Sequence, residues 1–181
     1  MKYPFRWVAL AAGVAVLLFS IVLAVNVTTD PRAELNTSRL LGKPAPEVAL
    51  TRLDGTPVTS ADLVGKTVIV NFWNSWCAPC KEELPILRQW YAAHHTDDSV
   101  VMLGIPRDDT PGNIRDAAAT DGVKWTVAND QGARDAALSF ATRGQPETFA
   151  ISPGGTIAAS FLGPVSISVL DRMLQYGQRA P

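Results

Sequence analysis

The apolar positions of this chain fall into one very long run and several short ones. Residues 7–25 are nineteen consecutive positions without a charge, and no polar face appears among them. A run of that length and character predicts a helix able to cross the hydrocarbon core of a bilayer, where a buried core helix would keep a polar side. The short runs predict strands. Residues 68–72, with Val68, Ile69, Val70 and Phe72, and residues 100–105 have the length and β-branched content of buried parallel strands. Between them Leu84, Leu87, Trp90 and Tyr91 recur at helical spacing, so an amphipathic helix starts near residue 77 and passes Pro85, where a kink is expected. A strand, a helix and a second strand in this order predict a parallel pair with a right-handed crossover.

Farther along, residues 125–128 read as a short strand and residues 114–120 and 133–140 as short helices. Residues 148–152 and 156–162, separated by Pro153-Gly154-Gly155, read as a hairpin, and residues 165–176 as a closing helix. Residues 41–62 mix Pro44, Pro46, Asp54-Gly55 and Pro57 with short alternations and read as a hairpin-like N-terminal cap. The pattern is that of an α/β fold.

Composition adds orientation. With 47% apolar and 18% charged residues, the 181-residue chain suits one domain plus the apolar run. Lys2 and Arg6 precede that run, so the positive-inside tendency predicts a single-pass protein of the cell membrane. Residues 1–6 are then cytoplasmic, 7–25 the transmembrane anchor, 26–40 a polar linker, and 41–178 an extracytoplasmic domain. A cleaved signal peptide is the competing reading, because Val22-Leu23-Ala24 could serve as a cleavage site, but the run exceeds the usual apolar core of such peptides. Removing Lys2 and Arg6 from the sixteen basic residues leaves fourteen against seventeen acids, a balance of −3 that does not favour nucleic acid as partner.

Both cysteines, Cys77 and Cys80, lie where the strand over 68–72 gives way to the helix. Three apart, they cannot staple distant parts of a fold, and they read as a redox pair. The first turn of a helix offers unpaired N–H groups and the positive end of the dipole, which favour a thiolate at Cys77, while Pro79 presets φ in that turn. Cys77, nearer the helix end and solvent, is the expected attacking sulfur, and Cys80 the resolving one. The plainer readings are a structural disulfide and half of a zinc site. Zinc would need two more ligands, and the two imidazoles, His94 and His95, lie beyond the far end of the helix, so neither metal nor other cofactor is expected. Trp76 is expected at the rim, shielding the sulfur and offering a flat docking surface. Glu83 shares a helical face with Cys80, Ile86, Leu87 and Trp90, whereas Glu82 does not. A carboxyl turned inward without a cation has a raised pKa and can take a proton from the resolving thiol.

Asn71-Phe72-Trp73, Trp76-Cys77-Ala78-Pro79-Cys80 and Glu83-Leu84-Pro85 carry a resemblance. So do Gly42-Lys43-Pro44-Ala45-Pro46, Asp54-Gly55, Gly65-Lys66 and Gly144-Gln145-Pro146-Glu147-Thr148-Phe149. Together they resemble the TlpA, ResA and CcmG family of membrane-anchored, thioredoxin-like thiol:disulfide oxidoreductases, over about residues 41–178. The resemblance implies a thioredoxin-like fold with an N-terminal β extension and a central insert. It implies a cis bond at Pro146, facing the disulfide, with the backbone of Gln145 pairing to an extended substrate strand. Gln145 stands where the family commonly has a small or apolar residue. Glu83 matches an acidic position with a proton-transfer role. The implied activity is reduction of disulfides in exported proteins such as apocytochrome c, with a membrane electron donor of the CcdA/DsbD type. A thiol oxidase and a peroxiredoxin-like peroxidase, with Asn74 at the place of that family's threonine, are alternatives. A copper-binding thioredoxin-like metallochaperone is the non-enzyme alternative, although the cysteine spacing is one residue short and its downstream histidine is missing. Asn74 and Ser75 replace a more common Ala-Thr and are expected to change little in the mechanism. Glu147 receives no catalytic role.

Overall fold

All seven residues of β3 (Thr67–Trp73) are buried, because strand alternation sends successive side chains into two separate cores. Ile69 and Trp73 join Leu84, Leu87, Trp90, Met102 and Met173 in one. Val68, Val70 and Phe72 join Leu103, Ile105, Phe140 and Phe149 in the other. This computed structural model describes residues 4–28, 35, 38–129 and 135–180, and the chain separates into two units, Met1–Ala33 and Glu34–Pro181. In the first, α1 (Pro4–Thr28) carries the apolar run. Counted over the described residues alone, no helix is long and apolar enough to cross a membrane. Most of the expected linker lies outside the described residues.

The second unit is an α/β layer structure. Its strands are β1 (Ala49–Arg52), β2 (Pro57–Thr59), β3, β4 (Val100–Pro106), β5 (Thr126–Asn129), β6 (Glu147–Ile151) and β7 (Ile157–Leu162). They form one sheet in the order β2-β1-β5-β4-β3-β6-β7. β3 runs parallel to β4, from Thr67 beside Val100 to Trp73 beside Pro106, and antiparallel to β6. The helices are α2 (Ala78–His94), α3 (Pro111–Thr120), α4 (Ala136–Ser139) and α5 (Ile167–Arg179). Buried residues of α2, α3 and α5 fill the core that contains the cysteines.

Several elements depart from the sequence pattern for identifiable reasons. The expected cap is the β1–β2 hairpin, turned at Gly55 with φ of 88°, but β1 also pairs with β5 and widens the sheet. The pairing covers what would otherwise be an exposed edge of β5. α3 starts at Pro111, three residues before the expected start, because Thr110 Oγ1 accepts the Asn113 N–H and proline suits the first helical position. Of the helix expected over 133–140, α4 accounts for Ala136–Ser139, capped by Asp135, whose Oδ1 accepts the N–H groups of Ala137 and Leu138. Residues 133 and 134 lie outside the described residues. His94 and His95, expected beyond the far end of the helix, are its last residue and its C-cap, since α2 runs one turn further than the apolar spacing marks. The helix continues through Pro85.

Candidate active site

β3 delivers the chain through Asn74, Ser75 and Trp76 to the first turn of α2. Cys77 is the N-cap of that helix and is disulfide-bonded to Cys80, with Cα atoms 5.2 Å apart. The Cys80 N–H, one of the donors a helix leaves unpaired in its first turn, points at Cys77 Sγ at 3.2 Å. An N–H aimed at sulfur favours the thiolate once the disulfide is opened. Solvent exposure does not separate the two residues as expected: Cys77 is 4% and Cys80 1% exposed. What distinguishes them is position, with Cys77 at the helix end and Cys80 a turn inside. Trp76 is at the rim as expected, 61% exposed, its indole N–H donating to the Asp108 carbonyl at 3.2 Å.

One turn beyond Cys80, Glu83 is buried while Glu82 is exposed. Glu83 Oε1 accepts from Asn71 Nδ2 at 2.9 Å and Oε2 from the Val165 N–H at 3.1 Å. Asn71 Nδ2 also donates to Thr148 Oγ1, so β3, β6 and α2 meet at one amide. Burial pushes the Glu83 carboxyl up from 4.5 to about 7, and the two hydrogen bonds only partly offset it. Both donors are neutral. The group can therefore hold or release a proton near neutral pH beside the inner cysteine, since residues three apart on a helix are neighbours.

The approach to Cys77 is braced by a loop that the sequence pattern did not bring to this place. Asn74, whose replacement of alanine is expected to change little in the mechanism, is fully buried, and its Oδ1 accepts the N–H groups of Arg107 and Asp108 at 2.9 and 3.2 Å. Its carbonyl accepts the Cys77 N–H. Asp109 Oδ2 accepts the Ser75 N–H at 2.7 Å. Burial alone would raise the Asp109 carboxyl, but hydrogen bonds from Ser75, Thr110 and Asn113 hold it below the ordinary carboxylate value. The segment after β4 thus fixes the three residues that precede the reactive pair.

On the other side of β3, the Gln145–Pro146 bond is cis. The pairing of Phe72 with Glu147 puts Pro146 at the end of the sheet where β3 hands over to the cysteines. Gln145 is half-buried and Pro146 buried. Beside them buried Glu147 meets Arg143 at 3.0 Å, an ion pair without a signal in the sequence pattern. Among the described residues no group of three or more His, Cys, Asp and Glu side chains is placed to hold a metal ion.

The sequence profile described as Redoxin matches residues 40–174. The chain belongs to the redoxin family. Thiol:disulfide interchange protein HelX of Rhodobacter capsulatus is 34% identical over 80% of this chain and 80% of its own length. Thiol:disulfide interchange protein DsbE of Pseudomonas fluorescens biotype C is 32% identical over 88% and 86%. A thiol-disulfide oxidoreductase ResA from Bacillus thuringiensis is 28% identical over 75% and 77%. Among solved structures, a thiol:disulfide interchange protein of the thioredoxin family from Chlorobium tepidum superposes with a TM-score of 0.66 at 27% identity, over 78% of this chain and 99% of that one. The fold of this redoxin is thioredoxin-like, and with its Cys77–Cys80 pair it is a thiol:disulfide oxidoreductase.

Proposed function

We propose that this redoxin is a membrane-tethered reductant that works outside the cytoplasm on disulfides of exported proteins, apocytochrome c with its haem-attachment cysteines among them. The observation that carries the chemistry is Glu83, buried beside Cys80 with neutral donors only and a carboxyl that titrates near neutrality. In the forward direction the Cys77 thiolate attacks one sulfur of a substrate disulfide, forming a mixed disulfide and expelling the first substrate thiolate. The Glu83 carboxylate accepts the Cys80 proton. Cys80 then attacks Cys77 Sγ, closing the intramolecular disulfide and releasing the second substrate thiolate. Two electrons pass from the protein to the substrate, and a membrane donor of the CcdA/DsbD type returns them. The backbone at Gln145, next to cis Pro146, receives an extended substrate strand, and Trp76 supplies the apolar rim.

The tether is residues 7–25, carried on α1, with the catalytic domain extracytoplasmic. The names of HelX and DsbE as interchange proteins support the exchange chemistry. Titration against glutathione tests the direction: a potential below about −220 mV supports a reductant, and one near about −120 mV makes the protein an oxidase. Mixed-disulfide trapping tests the roles, with Cys80→Ser expected to accumulate substrate adducts and Cys77→Ser almost none. Reversed yields would exchange the two assignments.

A further inference from the structure

We propose that Arg143 and Glu147 are positioning residues for protein substrates, holding the turn that presents the Gln145 backbone to an extended strand. The inference rests on the reading of Gln145 and Pro146 as the docking segment. Glu147 has no exposure, and both its oxygens are engaged by one residue at the other end of the turn. Oε2 accepts the Arg143 backbone N–H at 2.8 Å, and Oε1 accepts from Arg143 Nε at 3.3 Å and Nη2 at 3.0 Å. The carboxylate therefore closes a ring over Arg143-Gly144-Gln145-Pro146, clamping backbone and side chain together. From the opposite side the Gly163 N–H donates to the Pro146 carbonyl at 2.8 Å.

Between these fixed points, the backbone N–H and C=O of Gln145 enter no hydrogen bond among the described residues. Unpaired backbone groups held still on both sides are what a strand added by pairing requires, and holding them beforehand removes an ordering cost from binding. The Arg143 guanidinium is engaged by Glu147, so the clamp favours recognition through main-chain geometry over recognition through substrate charge. A small disulfide with no peptide backbone gains nothing from it.

The test compares two disulfides on the full, pre-reduced protein: a peptide disulfide with extended flanks, and dithiobisnitrobenzoate. Arg143→Gln and Glu147→Gln should each raise the half-saturating peptide concentration about tenfold, with the limiting rate and the small-disulfide rate within about twofold of wild type. The double variant should lose no more than either single, because one clamp is broken in all three. If Glu147→Gln fails to fold, Arg143→Gln, at a side chain 38% exposed, carries the test. An unchanged half-saturating concentration, or an equal loss with both disulfides, overturns the proposal. If wild type itself shows no preference for the peptide, the docking reading fails and this inference with it. If wild type prefers the peptide and the variants keep that preference, only the clamp is refuted.

Discussion

Two carboxylates flank β3 in this redoxin, Glu83 on α2 and Glu147 on β6, and both are withdrawn from solvent, at 1% and 0% exposure. Their neighbours differ. Glu83 receives an amide from Asn71 and a backbone N–H from Val165, whereas Glu147 receives a guanidinium as well as a backbone N–H. Burial sets what a charge costs, and the partners decide how far the cost is met. Where no cation is supplied, the carboxyl rises to about 7 and becomes a group that can exchange a proton with a thiol. Where a cation is supplied, the carboxylate ties the two ends of a turn. The same side-chain type is therefore left able to hold a proton on one side of the strand and is bound in an ion pair on the other.

The sharpest way to break this contrast is to remove the titrating proton from Glu83. Its folded pKa lies above its ordinary value, so below about pH 4.5 the carboxyl is neutral in folded and unfolded chains and carries no penalty. As pH rises toward about 7 the unfolded chain releases the proton first, and the native state loses roughly 3 kcal/mol relative to a variant without that group. Urea unfolding of wild type and Glu83→Gln across this window should show the difference growing with pH and levelling above it. A constant difference would mean that Glu83 does not titrate there.

A smaller effect is expected from Glu147→Ala, which removes the carboxylate that accepts from the Arg143 N–H and guanidinium. Since the Arg143 side chain is 38% exposed and water can reach it, the loss should be about 2 kcal/mol, below that of a fully buried pair. No measurable loss would remove Glu147 from the comparison. Smaller still is Asn71→Ala, which takes away one of the two bonds that hold the Glu83 carboxyl down. The midpoint of the pH-dependent step should move further up, and a downward move would contradict the assigned cause.

Local features were readable and remote ones were not. β3, α2 and the inward turn of Glu83 follow from spacing along a few residues, because a helix places positions 80, 83, 87 and 90 on one side whatever surrounds it. The cis bond at Gln145–Pro146 came through resemblance of a short motif, and the structure has it. The bracing by Asn74 was not legible because its partners are two N–H groups thirty-odd residues away, on the loop after β4. The pairing of β1 with β5 is remote for the same reason, and neither segment carries a local sign of it. The Arg143–Glu147 clamp is close in sequence, but a charge pair four apart in a turn has no periodicity that would mark it as buried.

Acceptance of the Cys80 proton by Glu83 during resolution, as proposed, is measured directly by the rate of that step. Stopped-flow recording of Cys77–Cys80 closure from a preformed mixed disulfide at Cys77, across pH, should show a wild-type inflection near about pH 7 that Glu83→Gln lacks, with slower closure in the variant. Glu82→Gln, altered at an exposed position one residue earlier, should reproduce the wild-type profile. Superimposable profiles for Glu83→Gln and wild type would contradict the account.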